Sequence, residues 1–200
     1  MDDIARLPMS DRADLFVAAA RQRGLTSAII EKDFWVCWTL KRVFTLPDPP
    51  AELLFKGGTS LSKVFGVIER FSEDVDLSFD RAGLGFGGAS DPLNATTGKR
   101  RKHGLEALNE TCQRVIRERF LPQLVAALAD ALGEPPSATW GLELAEDDPD
   151  AQTFLFRYPA SNRSPPADEP AYIRPVVRLE VGARSDHWPA VEATVTSYAA

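Results

Sequence analysis

Two short stretches decide the fold of this 200-residue chain: KGGTSLSK at residues 56–63 and DVDLSF at residues 74–79. The first follows a short apolar run and precedes apolar residues at helical spacing, so it predicts a strand, a glycine turn and a helix. In the second, apolar residues alternate with polar ones at a period of two, which predicts a half-buried strand. The sequence therefore places a glycine turn and a pair of aspartates close together along the chain.

The glycine turn at Gly57 and Gly58 has the features of a phosphate-binding site. Glycine lets the backbone approach a ligand closely, and the helix that follows presents free N–H groups. The spacing is not that of a Walker A loop, and most Gly-Gly pairs only turn the chain, so both interpretations remain open. Hydroxyl and ammonium groups near the turn would add hydrogen-bond donors and positive charge; they belong to Lys56, Thr59, Ser60, Ser62 and Lys63.

Asp74 and Asp76 form a carboxylate pair. In a strand, residues i and i+2 project from the same face, so the two side chains lie next to each other. Two adjacent carboxylates repel each other unless a cation neutralises them, and hard oxygen ligands suit Mg²⁺. Phosphoryl-transfer enzymes of the polymerase type hold their metal ions with such carboxylates. The alternative is a strand face that is simply exposed to solvent.

Glu180 is a lone acid in a later apolar strand, within the stretch RLEV at residues 178–181. If this strand lies beside that of Asp74 and Asp76, the Glu180 carboxylate would complete a metal-binding triad. Taken alone, a salt bridge between Glu180 and a nearby arginine is the slightly favoured interpretation. The glycine turn, the aspartate pair and this later strand are together more specific than any one of them.

The rest of the chain alternates irregularly between helical and strand patterns, with an antiparallel pair of strands late in the sequence. This pattern predicts the α+β class, with a mixed sheet flanked by helices. We expect helices over residues 10–23, 27–44 and 99–132, the last broken or kinked at Pro122. We expect strands over residues 52–55, 72–79, 140–144, 153–158 and 172–183.

The composition excludes several classes of protein. With 44% hydrophobic and 26% charged residues, the chain is typical of a soluble globular protein. No apolar run is long enough to span a membrane, and the acidic N-terminus lacks the apolar region of a signal peptide. Cys37 and Cys112 are expected to be free thiols, in keeping with the cytoplasm. Because the net charge is −6, a nucleic-acid partner has to be held by a local basic patch.

The motifs resemble those of the AbiEii/AbiGii nucleotidyltransferase toxin family, which belongs to the polymerase β-like nucleotidyltransferase superfamily. The resemblance rests mainly on residues 56–63 and on the stretch RFSEDVDL at residues 70–77. Weaker similarities extend it over residues 25–200; they lie at residues 31–36, 172–175, 179–180 and 184–185.

The resemblance implies a role for each matching position. Asp74, Asp76 and Glu180 would be the catalytic residues and the ligands of Mg²⁺ or Mn²⁺. Glu180 would either bind metal or act as the base toward the attacking hydroxyl. The nucleoside triphosphate would be held by Gly57, Gly58, Thr59 and Ser60, with Lys63 and Arg70 as further phosphate contacts.

The function implied by the resemblance is metal-dependent transfer of NMP from an NTP to an acceptor hydroxyl, with release of pyrophosphate. The expected acceptor is RNA, in particular tRNA, bound through the basic run from Lys99 to His103; such runs are more often solvated helix faces. The protein would be the toxin of a type IV toxin–antitoxin or phage-defence (abortive infection) system, with a cognate antitoxin. Two alternatives are a non-catalytic nucleotide-binding remnant or partner-binding module, and a phosphotransferase that moves the γ-phosphate to a small molecule.

We expect one nucleotidyltransferase domain over residues 1–200, in which the N-terminal helices of residues 1–46 pack on a catalytic core of residues 51–200. Members of the family continue with further helices beyond the strand of Glu180, and this C-terminal helical region is missing from the sequence. The expected fold is therefore the polymerase β-like core without that region.

Overall fold

A computed structural model describes residues 1–66, 74–133, 140–161, 173–186 and 190–199 of the chain. No helix in these ranges is both long enough and apolar enough to cross a lipid bilayer. The helices are α1 (Asp2–Ala5), α2 (Met9–Arg23), α3 (Ser27–Phe44), α4 (Gly57–Lys63), α5 (Gly98–Val115) and α6 (Leu121–Leu132). The strands are β1 (Leu53–Lys56), β2 (Asp74–Phe79), β3 (Gly141–Leu144), β4 (Thr153–Arg157) and β5 (Val176–Gly182).

The five strands form one mixed sheet in the order β1-β2-β5-β4-β3. Strands β2 and β5 run parallel at its centre, whereas the other three neighbouring pairs are antiparallel. A parallel pair needs a long crossover connection, and the chain supplies it with α5, α6 and the hairpin of β3 and β4. The sheet and its flanking helices confirm the predicted α+β class.

One face of this sheet is apolar and forms the core. Helix α3 packs on it through Trp35, whose ring lies 6.1 Å from that of Phe156. A π-helical turn, Ile116–Phe120, joins α5 to α6 and inserts Phe120, whose ring lies 5.5 Å from Phe79 and 6.0 Å from Phe154. Aromatic rings in such contacts bury large apolar areas and stabilise the fold. The buried apolar residues of the strands are Val75, Leu77, Phe79, Phe154, Phe156, Val177, Leu179 and Val181.

Pro175 and Pro122 determine where two of the observed elements begin, β5 and α6. Strand β5 begins at Val176, directly after Pro175, because proline has no N–H group to donate to the ladder. Pro122 lies in the first turn of α6, where a missing N–H group costs little, and the π-helical turn precedes it. The predicted break at Pro122 is therefore a local change of helix type.

Three consecutive charged residues of α3, Glu31, Lys32 and Asp33, are buried. Glu31 accepts hydrogen bonds from the backbone N–H and the hydroxyl of Ser161, at 2.7 and 2.8 Å. The Lys32 ammonium group donates to the carbonyl oxygen of Arg174 at 3.1 Å and to the first carbonyl of β5. Glu31 and Lys32 are therefore satisfied by segments distant in sequence, and α3 serves as a common anchor for these segments.

Candidate active site

The face of the sheet opposite the core carries the predicted carboxylates. Asp76 in β2 is the register partner of Glu180 in β5 on one side and of Lys56 in β1 on the other. Adjacent strands lie about 4.8 Å apart, so the three side chains form one row across the sheet, here called the sheet row. Asp74 projects from the same face, beside its register partner Arg178. The fold thus brings Asp76 and Glu180 side by side, with a cation near each.

Asp76 lies in an environment that disfavours its charged form. Burial raises the pKa of Asp76, Lys56 lowers it, and the adjacent Glu180 carboxylate raises it, with a net upward shift. A divalent cation between Asp76 and Glu180 would relieve this repulsion. Carboxylate oxygens are the ligands that Mg²⁺ and Mn²⁺ prefer, so the chemistry of these two side chains suits the metal ions that were predicted.

Arg178 binds two of the carboxylates at this face. Its Nε donates to Glu180 at 3.2 Å, and its Nη1 donates to Asp147 at 3.5 Å. The salt bridge between Glu180 and a nearby arginine, one of the two interpretations of this strand, is therefore present. Among the described residues, no three acidic, His or Cys side chains converge as the ligands of one ion. The three predicted ligands share a face without forming such a set.

Gly57 places the start of α4 directly against Asp76. Its φ of +74° is a left-handed conformation that side chains rarely adopt. A Cβ built on Gly57 would overlap the Asp76 carboxylate and lie 2.8 Å from the Asp76 Cβ. Only glycine satisfies both constraints, so the glycine turn and the aspartate pair are parts of one site.

Thr59 and Ser60 are buried in the turn, and their hydroxyls act within it. The Thr59 hydroxyl donates to the carbonyl oxygen of Asp74, and the Ser60 hydroxyl donates to that of Gly57 at 2.9 Å. The Thr59 bond holds α4 against β2, whereas the Ser60 bond lies within α4. The first turn of a helix also leaves backbone N–H groups without intrahelical partners, and such groups bind phosphate. Gly58 belongs to this first turn, and its nucleotide-binding role stays a prediction.

Lys63 forms a buried ion pair with Asp33 of α3. Its ammonium group lies 3.4 Å from the centre of the Tyr198 ring. Asp33 also accepts hydrogen bonds from the Ser197 hydroxyl at 3.0 Å and from the Tyr198 N–H at 2.6 Å. The structure thus uses Lys63 to connect α4 to α3 and to residues 197–198, and its phosphate contact stays a prediction. Arg70, the other predicted phosphate contact, lies outside the described residues.

A cleft of about 400 Å³ opens beside the sheet row. Lys56 and Glu180 line it, together with residues of the acidic turn between β3 and β4 (residues 146–150). Two arginines that line the cleft, Arg178 and Arg184, were not among the predicted site residues. The signal for Arg178 was its i, i+2 spacing from Glu180, which places both on one face. Nothing in the sequence places Asp147 of the acidic turn near β5, because that contact depends on strand order.

The basic run from Lys99 to His103 forms the first turns of α5 and is exposed throughout. Arg101 and Lys102 line a shallow depression together with Arg184. Arg184 also lines the cleft beside the sheet row. Arg184 therefore borders both the depression on α5 and the cleft. The name basic surface is used here for Lys99, Arg100, Arg101, Lys102 and Arg184.

The mixed sheet, with a glycine turn packed against carboxylates on its open face, is consistent with a nucleotidyltransferase-like fold. The sequence model of a known family, the nucleotidyl transferase AbiEii toxins of type IV toxin–antitoxin systems, matches residues 38–200. The chain belongs to this family, which confirms the resemblance; the similarity at residues 31–36 lies outside the match. Neither the curated proteins nor the solved structures give a significant match. Membership implies a nucleotide substrate and an antitoxin partner.

Proposed function

We propose that the protein transfers a nucleoside monophosphate from an NTP to an acceptor hydroxyl, with Mg²⁺ or Mn²⁺ as cofactor. The observation that carries this proposal is the contact of Gly57 with Asp76 in the sheet row. That contact joins a phosphate-type turn to a pair of carboxylates suited to metal ions. The activity in the family's name is consistent with this chemistry.

In the proposed reaction, Asp74, Asp76 and Glu180 would hold the metal ions. When bound, these ions would neutralise the negative charge that develops on the reacting phosphate and on the leaving group. The acceptor oxygen attacks the α-phosphorus, the bond from this phosphorus to the oxygen bridging to the β-phosphate breaks, and pyrophosphate leaves. The proton of the acceptor hydroxyl passes to water, because the Glu180 carboxylate is engaged with the metal ions. Lys56 and the N–H groups at the start of α4 bind the phosphates and set the line of attack.

We propose RNA, with tRNA as the first candidate, as the acceptor. The supporting feature is the basic surface, whose Arg184 also lines the cleft of the sheet row. Phosphate contacts by such side chains supply most sequence-independent affinity for nucleic acid. An RNA strand held on α5 would thus present its end to the carboxylates. In a toxin–antitoxin or abortive-infection system, this modification would inactivate the host's own RNA.

The test compares the wild-type chain, Asp76→Asn and a matched control, Asp130→Asn, which changes an exposed aspartate of α6. Each is incubated with Mg²⁺, total tRNA and each α-³²P-labelled NTP, and products are separated on a denaturing gel. We expect label on RNA with the wild type and Asp130→Asn and none with Asp76→Asn. Because Asp76 is repelled by Glu180, its replacement should leave the melting temperature unchanged or higher. Transfer by Asp76→Asn would contradict the assignment.

Parallel reactions separate the two alternative functions. If γ-³²P passes to a small molecule with release of NDP, the protein is a phosphotransferase. If NTP binds but neither product nor pyrophosphate forms, the chain is a binding module. The proposed transferase predicts pyrophosphate in an amount equal to the NMP added to RNA.

A further inference from the structure

We propose that Arg178 is a substrate-binding residue that alternates between two sets of partners. Without nucleotide it pairs with Glu180 and Asp147, and in the nucleotide complex it binds the phosphates in the cleft. This inference rests on the proposed function, because it requires that an NTP occupy the cleft beside the sheet row.

The first argument is the position of the guanidinium group among the carboxylates. In β5, Arg178 is two residues from Glu180 and therefore projects from the same face. Its partner across the parallel pair is Asp74, and Asp147 reaches it from the acidic turn. Arg178 therefore contacts one predicted metal ligand, lies beside a second, and borders the cleft that the substrate would enter.

The second argument is the weakness of these ion pairs. The side chains of Arg178, Glu180 and Asp147 are 31%, 46% and 72% exposed. Ion pairs this exposed are strongly screened by water and contribute little to stability. Arg178 can therefore exchange partners at small cost, without any movement of its strand.

The third argument is charge and shape. Once Glu180 serves as a metal ligand, its oxygens are no longer available to Arg178 to the same degree. A triphosphate in the cleft brings new negative charge, and the planar guanidinium fork fits phosphate oxygens in a bidentate manner. The Arg178 side chain thus neutralises the carboxylates before the nucleotide binds and the phosphates once it is bound.

A substitution of Asp147 would weaken the ion pairs that Arg178 forms without nucleotide and would leave its proposed phosphate contacts in place. The acidic turn is fixed by Asp148, which accepts the N–H groups of Asp150 and Gln152 at 2.9 and 2.8 Å. Asp147 is presented to Arg178 by this turn and is no part of the sheet row. Asp147→Asn should therefore weaken the resting pair and leave the carboxylates in place.

The experiment measures two affinities of the full chain for the wild type, Arg178→Gln, Arg178→Lys and Asp147→Asn. Mn²⁺ binding without nucleotide is followed by electron paramagnetic resonance. Binding of a non-hydrolysable α,β-methylene NTP with Mg²⁺ is followed by equilibrium dialysis. We expect Arg178→Gln to bind Mn²⁺ about fivefold more tightly and the analogue at least about tenfold more weakly. A purely structural role would not move the two affinities in opposite directions.

The other variants complete the test. Arg178→Lys keeps the charge and loses the fork, so its Mn²⁺ affinity should match the wild type while its analogue affinity falls. Asp147→Asn should bind the analogue more tightly. If Arg178→Gln does not fold, the analogue affinities of Arg178→Lys and Asp147→Asn test the proposal. Unchanged analogue affinity in the Arg178 variants would overturn this inference alone, whereas a wild-type chain that binds neither metal nor analogue would overturn it together with the proposed function.

Discussion

The carboxylate of Asp33 in α3 and the ammonium group of Lys63 in α4 form an ion pair in which neither side chain is more than 6% exposed. Charges removed from water in this way are tolerated only when further hydrogen bonds satisfy them. Ser197 and Tyr198 supply such bonds to Asp33, and the Tyr198 ring covers Lys63. This contact fixes the C-terminal end of α4, and the opposite end of that short helix carries Gly57.

Lys63→Met should strongly destabilise the fold, because it leaves the Asp33 carboxylate buried without its cation. Loss of one partner of a buried pair costs about 3–5 kcal/mol. The free energy of unfolding is measured by urea denaturation. The matched control is Lys102→Met, since Lys102 is 81% exposed and lies 3.9 Å from Glu106; it should change stability by less than about 0.5 kcal/mol. Equal midpoints for the two variants would contradict the buried pair.

Gly57→Ala should disrupt the site, whereas Gly24→Ala should only strain the backbone. Both glycines have positive φ, +74° and +65°, but a Cβ on Gly24 would meet nothing within 4 Å. We expect Gly24→Ala to cost about 1–2 kcal/mol and Gly57→Ala about 2–4 kcal/mol, because the added methyl overlaps Asp76. Only Gly57→Ala should lose nucleotide binding. Similar effects of the two substitutions on stability and binding would argue against the contact with Asp76.

Stability should fall as pH rises above the ordinary range of a glutamate, because of Glu31. Burial raises its pKa above the usual 4.5, even though Ser161 and Arg12 lower it. Between 4.5 and the raised pKa, the folded chain binds more protons than the unfolded chain, so the free energy of unfolding decreases with pH.

Glu31→Gln removes this titration and should reduce the fall of the urea midpoint with pH over that window, while Asp76, whose pKa is also raised, still contributes. The exposed Glu106, changed to Gln, serves as the control and should leave the wild-type slope in place. A Glu31→Gln curve parallel to that of the wild type would show that Glu31 keeps its ordinary pKa when folded.

Single alanine substitutions on the basic surface should weaken RNA binding in a salt-dependent way. Each lost phosphate contact lowers the slope of log affinity against log salt by about 1. We expect this change for Lys99→Ala and Arg184→Ala, measured by filter binding between low and physiological salt. Arg21→Ala, on the exposed face of α2, is the matched control and should leave the slope unchanged. An unaltered slope in all variants would assign RNA binding to another surface.

The sequence predicted the parts of the site that depend on local pattern. Alternation around Asp74 and Asp76 defined the strand and the face they share. The later strand around Glu180 was found in the same way. Their juxtaposition required the parallel pairing of β2 with β5, which no local pattern encodes, and the contact of Gly57 with Asp76 depends on that tertiary arrangement as well.

Buried charges were the least predictable feature. Phe34 and Trp38 are spaced four residues apart on α3, which favours one apolar helix face, and both are buried in the core. Charged residues are seldom fully buried, so nothing local predicted that Asp33 would be. Its partners lie at residues 63, 197 and 198. For the same reason nothing local predicted the buried ion pair of Lys63, whose phosphate contact stays a prediction.

The register between β2 and β5 also couples the packing of the core to the positions of the carboxylates. A slip of β5 by one residue would place Leu179 or Val181 opposite Asp76 and would turn the apolar face of β5 toward solvent. Misaligned chains therefore lose the core contacts together with the carboxylate neighbour. A one-residue slip of β5 that separates Asp76 from Glu180 also destabilises the hydrophobic core. A molecule that has folded stably has therefore also placed these two carboxylates side by side.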